Sequence, residues 1–277
     1  MQSAEILIIW AKEIAARFPC TAPRLRWVMA TSAGLDQLFL FPMVPPEVAR
    51  VHNSGAHAEK ASESGLMAVL DARQLHPRSR HSPARRTVGP AVRAFHRRAY
   101  RRDLGLGDLG GTIATRCASL GMTVIGCSAR SAPHPACAHV FAQAELDTVL
   151  PRADVLVLAM PLTSGTRDMI TRGLLSLLPL HAGVVNLARG GVIDQEALCD
   201  MLEAGRLAGA VLDVFDPEPI PTGHRLWRTP NLIISPHVSS DDPDTYNPRT
   251  LDIFFRNLAA WRAGEAMPNE VIRTRGY

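Results

Sequence analysis

From Leu104 to Gly111 the chain reads Leu-Gly-Leu-Gly-Asp-Leu-Gly-Gly and opens a helix-like run, Thr112 to Leu120. This G-x-G-x-x-G turn constrains the fold more than any other stretch. Gly105 can make the tight turn, Gly107 lets the backbone approach a pyrophosphate, and Gly110 lets the helix pack closely on its strand. The helix N-terminus then faces the negative charge. An apolar strand, Met122 to Cys127, follows, and Ser128 stands 18 residues after Gly110, where a ribose-reading residue belongs. There the chain reads Ser128-Ala129-Arg130, with no carboxylate to take a ribose 2′-hydroxyl. A carboxylate would repel a 2′-phosphate, whereas a hydroxyl and a guanidinium can bind one, so NADP is favoured and NAD remains possible. The plainer reading of Arg130 is an exposed loop arginine.

Beyond the turn, strands and helices alternate, the pattern of a parallel sheet covered on both faces. Strands are expected at Met122 to Cys127, Val155 to Met160, Gly183 to Leu187, Ala210 to Val214 and Asn231 to Ser235. Helices are expected near Glu145 to Leu150, Arg172 to Leu178 and Gln195 to Gly205, the last N-capped by Asp194. A final amphipathic helix, Thr245 to Arg262, carries Leu251, Phe254, Phe255, Leu258 and Trp261 on one side. The fold class is α/β, a Rossmann-like doubly wound parallel sheet, with a second, smaller α/β domain.

That smaller domain is expected over residues 1–71, with 243–277 returning to it, and the dinucleotide-binding domain over 104–242. The apolar run Ile6 to Trp10 suits a buried strand, and Ala11 to Phe18 a helix. A second strand, Leu25 to Ala30, delivers Thr31-Ser32-Ala33-Gly34-Leu35-Asp36 into a strand-to-helix turn, where small residues leave N–H groups open to an anion. A plain helix N-terminus with a serine cap explains the same stretch equally well. A further helix is expected from Gly55 to Leu70.

At 277 residues with 47% hydrophobic content the chain can bury a sizeable core. No apolar run is long enough to span a bilayer and the start lacks a signal-peptide pattern, so a cytoplasmic protein without a membrane partner is expected. Cys20, Cys117, Cys127, Cys137 and Cys199 form no C-x-x-C pair and read as reduced packing thiols. The ten histidines are dispersed, so no metal site is expected. The net charge of +4 is uneven, because residues 72–102 hold ten arginines and no acid.

Several stretches resemble, in order and spacing, the D-isomer-specific 2-hydroxyacid dehydrogenases, and more narrowly their glyoxylate and hydroxypyruvate reductase-like branch. They are the glycine turn, Leu158-Ala159-Met160-Pro161-Leu162-Thr163 with Thr166, Asn186-Leu187-Ala188-Arg189-Gly190-Gly191, Leu212-Asp213-Val214-Phe215-Asp216-Pro217-Glu218-Pro219, Ser235-Pro236-His237 and the terminal Arg275-Gly276-Tyr277. The resemblance implies reduction of a small 2-oxo acid to a D-2-hydroxy acid by NADPH or NADH, in a cleft between two domains of a homodimer. It places the catalytic groups on Arg189, Glu218 and His237. Asp108 and Leu109 border the pyrophosphate, Pro161 and Thr166 the adenosine side, and Leu187, Ala188 and Asp213 the nicotinamide end. Ser32, Ala33 and Gly34, with Arg189, receive the substrate carboxylate.

The chemistry suits these residue types. Reducing a 2-oxo acid needs a hydride at the carbonyl carbon, a proton at its oxygen and a fixed cation for the carboxylate. An imidazolium can give and recover the proton, a carboxylate on its other nitrogen orients it and favours its charged form, and a guanidinium offers a planar fork. Each also has a plainer reading: His237 as a surface imidazole, Glu218 as one acid in a proline-rich loop, Arg189 as a helix cap or a partner of Asp213.

The chain departs from that family in two places. The strand and helix expected ahead of Ile6 are missing, so the substrate domain looks truncated. Residues 72–103 resemble nothing in the family where a hinge helix and the first dinucleotide-domain strand belong, and their composition predicts no apolar strand. The abrupt Arg/His/Pro-rich run and the clean resumption at Leu104 fit a segment translated in another reading frame. A divergent hinge is the next reading. A nucleic-acid-binding insert has least support, with only Phe95 and Tyr100 as interleaved aromatics. For the whole chain the rival to an enzyme is a catalytically decayed paralogue or a cofactor-sensing binding module, distinguished by an absence of NADPH oxidation in a protein that still melts cooperatively.

Overall fold

A computed structural model describes residues 3–10, 22–34, 44–74, 100–128 and 131–271, with the backbone alone at 74 and 100–104. The expected helix at Ala11 to Phe18, the residues after Gly34, Arg130, Cys20, the terminal Arg275 to Tyr277 and most of the arginine-rich run lie outside the described residues. The chain divides into two compact units, residues up to 58 with those from 241 onward, and residues 59–240.

The first unit holds a three-stranded parallel sheet in the order β1 (Ile6–Ile9), β2 (Trp27–Ala30), β3 (Ala49–Val51). Its strands are short, and β2 is buried along its whole length. Trp27 and Met29 point to one face and pack with Ile253 of the long closing helix α6 (Tyr246–Ala263), while Val28 and Ala30 point to the other. The Trp27 and Phe254 rings stack at 5.5 Å. The expected apolar side of α6 holds for Phe254, Leu258 and Trp261, which pack partly buried on this core, and is corrected for Leu251 and Phe255, which are exposed; the buried line is Thr250, Ile253 and Asn257. Asn257 is buried because its amide donates to the Ile253 carbonyl and to Asn269 Oδ1 and its carbonyl accepts from the Asn269 N–H, a demand that hydrophobic periodicity does not register.

In the second unit seven parallel strands lie in the order β10-β9-β8-β7-β4-β5-β6, a doubly wound sheet. They are β4 (Tyr100–Leu104), β5 (Thr123–Cys127), β6 (His139–Phe141), β7 (Val155–Leu158), β8 (Gly183–Asn186), β9 (Gly209–Leu212) and β10 (Leu232–Ile234). Crossover helices include α2 (Asp108–Ser119), α3 (Leu146–Val149), α4 (Arg172–Ser176) and α5 (Gln195–Glu203). β7, β8 and β9 read Val-Leu-Val-Leu, Gly-Val-Val-Asn and Gly-Ala-Val-Leu and are buried on both faces, as central parallel strands must be. Asp194 caps α5 by accepting from the Ala197 N–H at 2.8 Å.

Two expectations are corrected in this unit. The arginine-rich stretch does supply the central strand, since β4 pairs with β5 on one side and β7 on the other. A parallel ladder is built from backbone N–H and C=O groups, which Tyr-Arg-Arg-Asp-Leu offers as fully as an apolar run. The helix α1 (Ala58–Gln74) belongs with this unit for all but its first residue, so a boundary at residue 71 would cut through it. Its Ala68, Val69 and Ala72 pack with Ile113, Ala114 and Cys117 of α2, which is why the chain does not divide there. The three-residue strand β6 was not legible in the sequence. Among the described residues no helix is long and apolar enough to cross a membrane.

Candidate active site

Strand register lines the site up. Cys127, Leu104, Leu158, Asn186, Leu212 and Ile234 are aligned across six adjacent strands, each at the carboxyl end of its strand or nearly so. The segments just beyond this row are Ser128, Gly105, Ala159 to Pro161, Leu187 to Arg189, Asp213 to Phe215 and Ser235 to His237. Almost every position singled out in the second unit therefore leaves the same edge of one sheet, where open α/β sheets bind ligands.

The glycine turn lies between β4 and α2. Gly105 has φ +91°, a conformation L side chains rarely adopt, and a side-chain carbon there would meet the Ala159 carbonyl oxygen at 2.7 Å. At Gly110 such a carbon would stand 1.8 Å from the Gly105 carbonyl oxygen, so the helix start is pressed on the turn that precedes it. Gly107, by contrast, opens onto space with no atom within 4 Å. Asp108 begins α2, with Thr112 Oγ1 donating to its carbonyl at 3.0 Å, and Leu109 packs against the core beneath. A turn tight on one side and open on the other fits a dinucleotide pyrophosphate at the helix N-terminus. Ser128 follows β5 directly and donates its N–H to the Phe141 carbonyl at 3.1 Å.

After β7, Thr166 Oγ1 donates to the Pro161 carbonyl at 2.7 Å and accepts from the Thr163 N–H at 2.8 Å, closing the loop on itself. After β8 the chain turns on Asn186, a fully buried residue. Its Oδ1 accepts from the Ala188 N–H at 3.0 Å and its Nδ2 donates to the Arg189 carbonyl at 3.0 Å, so the backbone carrying Leu187, Ala188 and Arg189 is held from inside. Arg189 Nη1 donates to the Ala188 carbonyl at 2.7 Å. Gly190 is dictated by close approach, because a side-chain carbon there would lie 1.9 Å from the Phe215 carbonyl carbon in the next loop.

His237 and Glu218 come together across two loops. The His237 Nδ1 to Glu218 Oε2 distance is 2.9 Å, and Glu218 Oε1 accepts from the Phe215 N–H at 2.8 Å. An ionised carboxylate only accepts, so this contact keeps a proton on Nδ1 and leaves Nε2 as the nitrogen that exchanges one. Both side chains are partly open, 42% and 36% exposed. His237 has φ +58°, unusual for a residue with a β-carbon. The turn is fastened by Asp213, only 4% exposed, whose carboxylate accepts from the Val238 N–H at 3.2 Å, the Ser239 N–H at 3.2 Å and Ser239 Oγ at 2.6 Å. Asp213 thus turns toward the histidine's own loop, not toward Arg189 as its plainer reading had it. Asn186 and Ser239 are site-building residues that the sequence reading left without a role. The sequence signal was, for Asn186, its place at the end of an apolar strand within a family-like stretch and, for Ser239, a polar residue following such a strand.

In the first unit, Ser32, Ala33 and Gly34 lie directly after β2, half-buried. The Thr31 and Ser32 carbonyls are engaged by Asn53. Among the described residues no group of three or more His, Cys, Asp or Glu side chains could hold a metal ion.

Comparison with known proteins gives the class. Residues 103–239 match the profile of the D-isomer specific 2-hydroxyacid dehydrogenase, NAD binding domain. A D-isomer specific 2-hydroxyacid dehydrogenase from Xanthobacter autotrophicus, solved with NADPH and MES, superposes with a TM-score of 0.84 at 30% identity, covering 100% of this chain and 86% of that one. An NADPH-dependent glyoxylate/hydroxypyruvate reductase from Sinorhizobium meliloti, solved with NADP and sulfate, gives 0.83 at 26% identity, covering 99% and 87%. Glyoxylate/hydroxypyruvate reductase A of Salmonella paratyphi B is 33% identical over 174 residues, 63% of this chain but only 55% of that protein. The chain belongs to the D-isomer-specific 2-hydroxyacid dehydrogenase family and has its NAD(P)-binding α/β fold. It is an oxidoreductase by class.

Proposed function

We propose that the protein reduces a small 2-oxo acid of the glyoxylate or hydroxypyruvate type to the D-2-hydroxy acid, with NADPH preferred over NADH. The His237–Glu218 pair beyond the carboxyl edge of the sheet, the edge from which the segment carrying Arg189 also leaves, carries the proposal.

A nicotinamide cofactor held at the glycine turn by Gly105, Gly107, Asp108, Leu109 and Gly110 would supply the hydride. The carbonyl carbon accepts that electron pair as the C=O π bond breaks toward oxygen, and His237 delivers the balancing proton from Nε2 to that oxygen. Glu218 holds Nδ1–H throughout, steadying the ring and its positive charge before transfer. His237 recovers its proton from solvent, to which its ring is open. Arg189 offers its fork to the substrate carboxylate and cannot lose its charge. The family resemblance assigns the N–H groups of Ser32, Ala33 and Gly34 to a substrate carboxylate.

The NADPH preference is supported by the missing carboxylate at Ser128-Ala129-Arg130, and by the NADP or NADPH in the Xanthobacter and Sinorhizobium structures. The test is NADPH and NADH oxidation with a panel of 2-oxo acids, followed by chiral chromatography of the product. A D-hydroxy acid formed with a lower Michaelis constant for NADPH is the expected result. An L-product, or no oxidation of either cofactor by any 2-oxo acid, overturns the proposal.

A further inference from the structure

The loop after β2 owes its orientation to two side chains that the site assignments above do not use. Asn53 is fully buried. Its Nδ2 donates to the Thr31 carbonyl at 2.9 Å and to Thr250 Oγ1 at 2.8 Å, and its backbone N–H donates to the Ser32 carbonyl at 3.2 Å. Tyr246, in the first turn of α6, donates its phenol O–H to the same Thr31 carbonyl. Its ring lies against the His57 ring at 5.1 Å, which fixes the phenol's approach. Two donors thus converge on one carbonyl oxygen, and a third takes the next.

A trans peptide points its N–H opposite to its C=O. With the Thr31 and Ser32 carbonyls drawn toward Asn53 and α6, the N–H groups of Ser32 and Ala33 point away from them. Among the described residues neither N–H has a protein acceptor. Small residues at 32–34 put no bulky side chain of their own over these donors, and two adjacent N–H groups of this kind can form a recess for an anion.

We infer that Tyr246 and Asn53 are positioning residues for the substrate carboxylate: they hold the backs of two peptide planes so that the Ser32 and Ala33 N–H groups face the anion. This rests on the proposed carboxylate role of residues 32–34. The residues do not touch the substrate, and their effect is confined to the binding of carboxylate-bearing ligands. Cofactor binding and hydride transfer are governed by the other unit.

Tyr246→Phe keeps the ring against His57 and removes only the donor. The Michaelis constant for the 2-oxo acid is expected to rise about tenfold, the factor corresponding to one hydrogen bond of ordinary net strength. The turnover number should change less than twofold, and the NADPH dissociation constant and melting temperature should hold. Thr250→Val, which frees Asn53 Nδ2 to rotate from the carbonyl, should move the same constant in the same direction by a smaller factor. Calorimetric titration of oxalate into the NADPH-saturated protein reads the recess without turnover. It should bind wild type and bind Tyr246→Phe about tenfold more weakly. Equal oxalate affinity and equal Michaelis constants in wild type and Tyr246→Phe would overturn the inference while leaving the proposed reaction standing. Oxalate that fails to bind wild type would overturn both the inference and the carboxylate role it rests on.

Discussion

Replacing Glu218 by glutamine isolates what the carboxylate does for His237. The amide is nearly isosteric, so its oxygen can still accept from the Phe215 N–H, now at 2.8 Å, and its NH₂ then faces His237 Nδ1, now 2.9 Å from a carboxylate oxygen. An NH₂ cannot accept, so Nδ1 must give up its proton and become the acceptor. The ring is thereby fixed in its neutral form with the proton on Nε2, and the positive charge loses its counter-charge. A hydrogen bond to a charged group contributes about 1.5–3 kcal/mol. With 42% and 36% of the two side chains exposed, solvent screening places this pair toward the lower end. A loss of about 1.5–2 kcal/mol corresponds to roughly a 10–30-fold fall in the turnover number. Steady-state NADPH oxidation gives that number, and equilibrium fluorescence titration of NADPH checks that the cofactor turn is undisturbed. A Glu218→Gln protein within twofold of wild type would show that the contact has no part in proton delivery.

Other perturbations test separate links. Gly110→Ala puts a carbon 1.8 Å from the Gly105 carbonyl oxygen; overpacking of this kind costs about 1–3 kcal/mol, so thermal melting should shift down by several degrees and NADPH binding weaken. Asp213→Asn replaces an acceptor of three donors by a group with one acceptor oxygen. A buried donor left unsatisfied costs about 1–3 kcal/mol, so the turn carrying His237 should loosen and turnover fall about tenfold at unchanged NADPH affinity, as kinetics beside titration will read. Cys127 is held by burial first, and by nearby Glu145 second, with its thiol pushed up to about 11 from 9.0. Below pH 9.0 the thiol is protonated folded or unfolded. Between 9.0 and about 11 only the unfolded chain releases the proton, so denaturant midpoints should decline over that window, and iodoacetamide at pH 8 should label part-exposed Cys137 before Cys127 by peptide mass spectrometry.

What could be foreseen from the sequence was local. The glycine turn, the Asp194 cap and the apolar runs that became β7, β8 and β9 each show themselves within a few residues, because a positive φ, a cap or a strand buried on both faces restricts residue type on the spot. Glu218 and His237 are 19 residues apart, and their meeting was inferred from a family resemblance, not from spacing. β4 was invisible because its ladder is made by the backbone, while Tyr-Arg-Arg-Asp argues against a buried strand by side chain alone. The side of α6 that carries Leu251 and Phe255 was misjudged because burial of Asn257 and Thr250 is set by hydrogen bonds to Asn269 and Asn53, 12 and 197 residues away. Asn53 and Ser239 escaped notice for the same reason. Each is a polar residue whose partner is a backbone group or side chain brought near only by folding.

The central claim, proton delivery by His237 to a reduced 2-oxo acid, is tested most directly by single-turnover oxidation of bound NADPH on mixing with glyoxylate or hydroxypyruvate, in wild type and in His237→Ala. Wild type should consume about one NADPH per site in a rapid phase, and the variant, with cofactor binding intact, should be slower by at least about a hundredfold, the scale of a lost general acid. Equal rapid phases in the two proteins, or none in a wild type that binds NADPH, would contradict it.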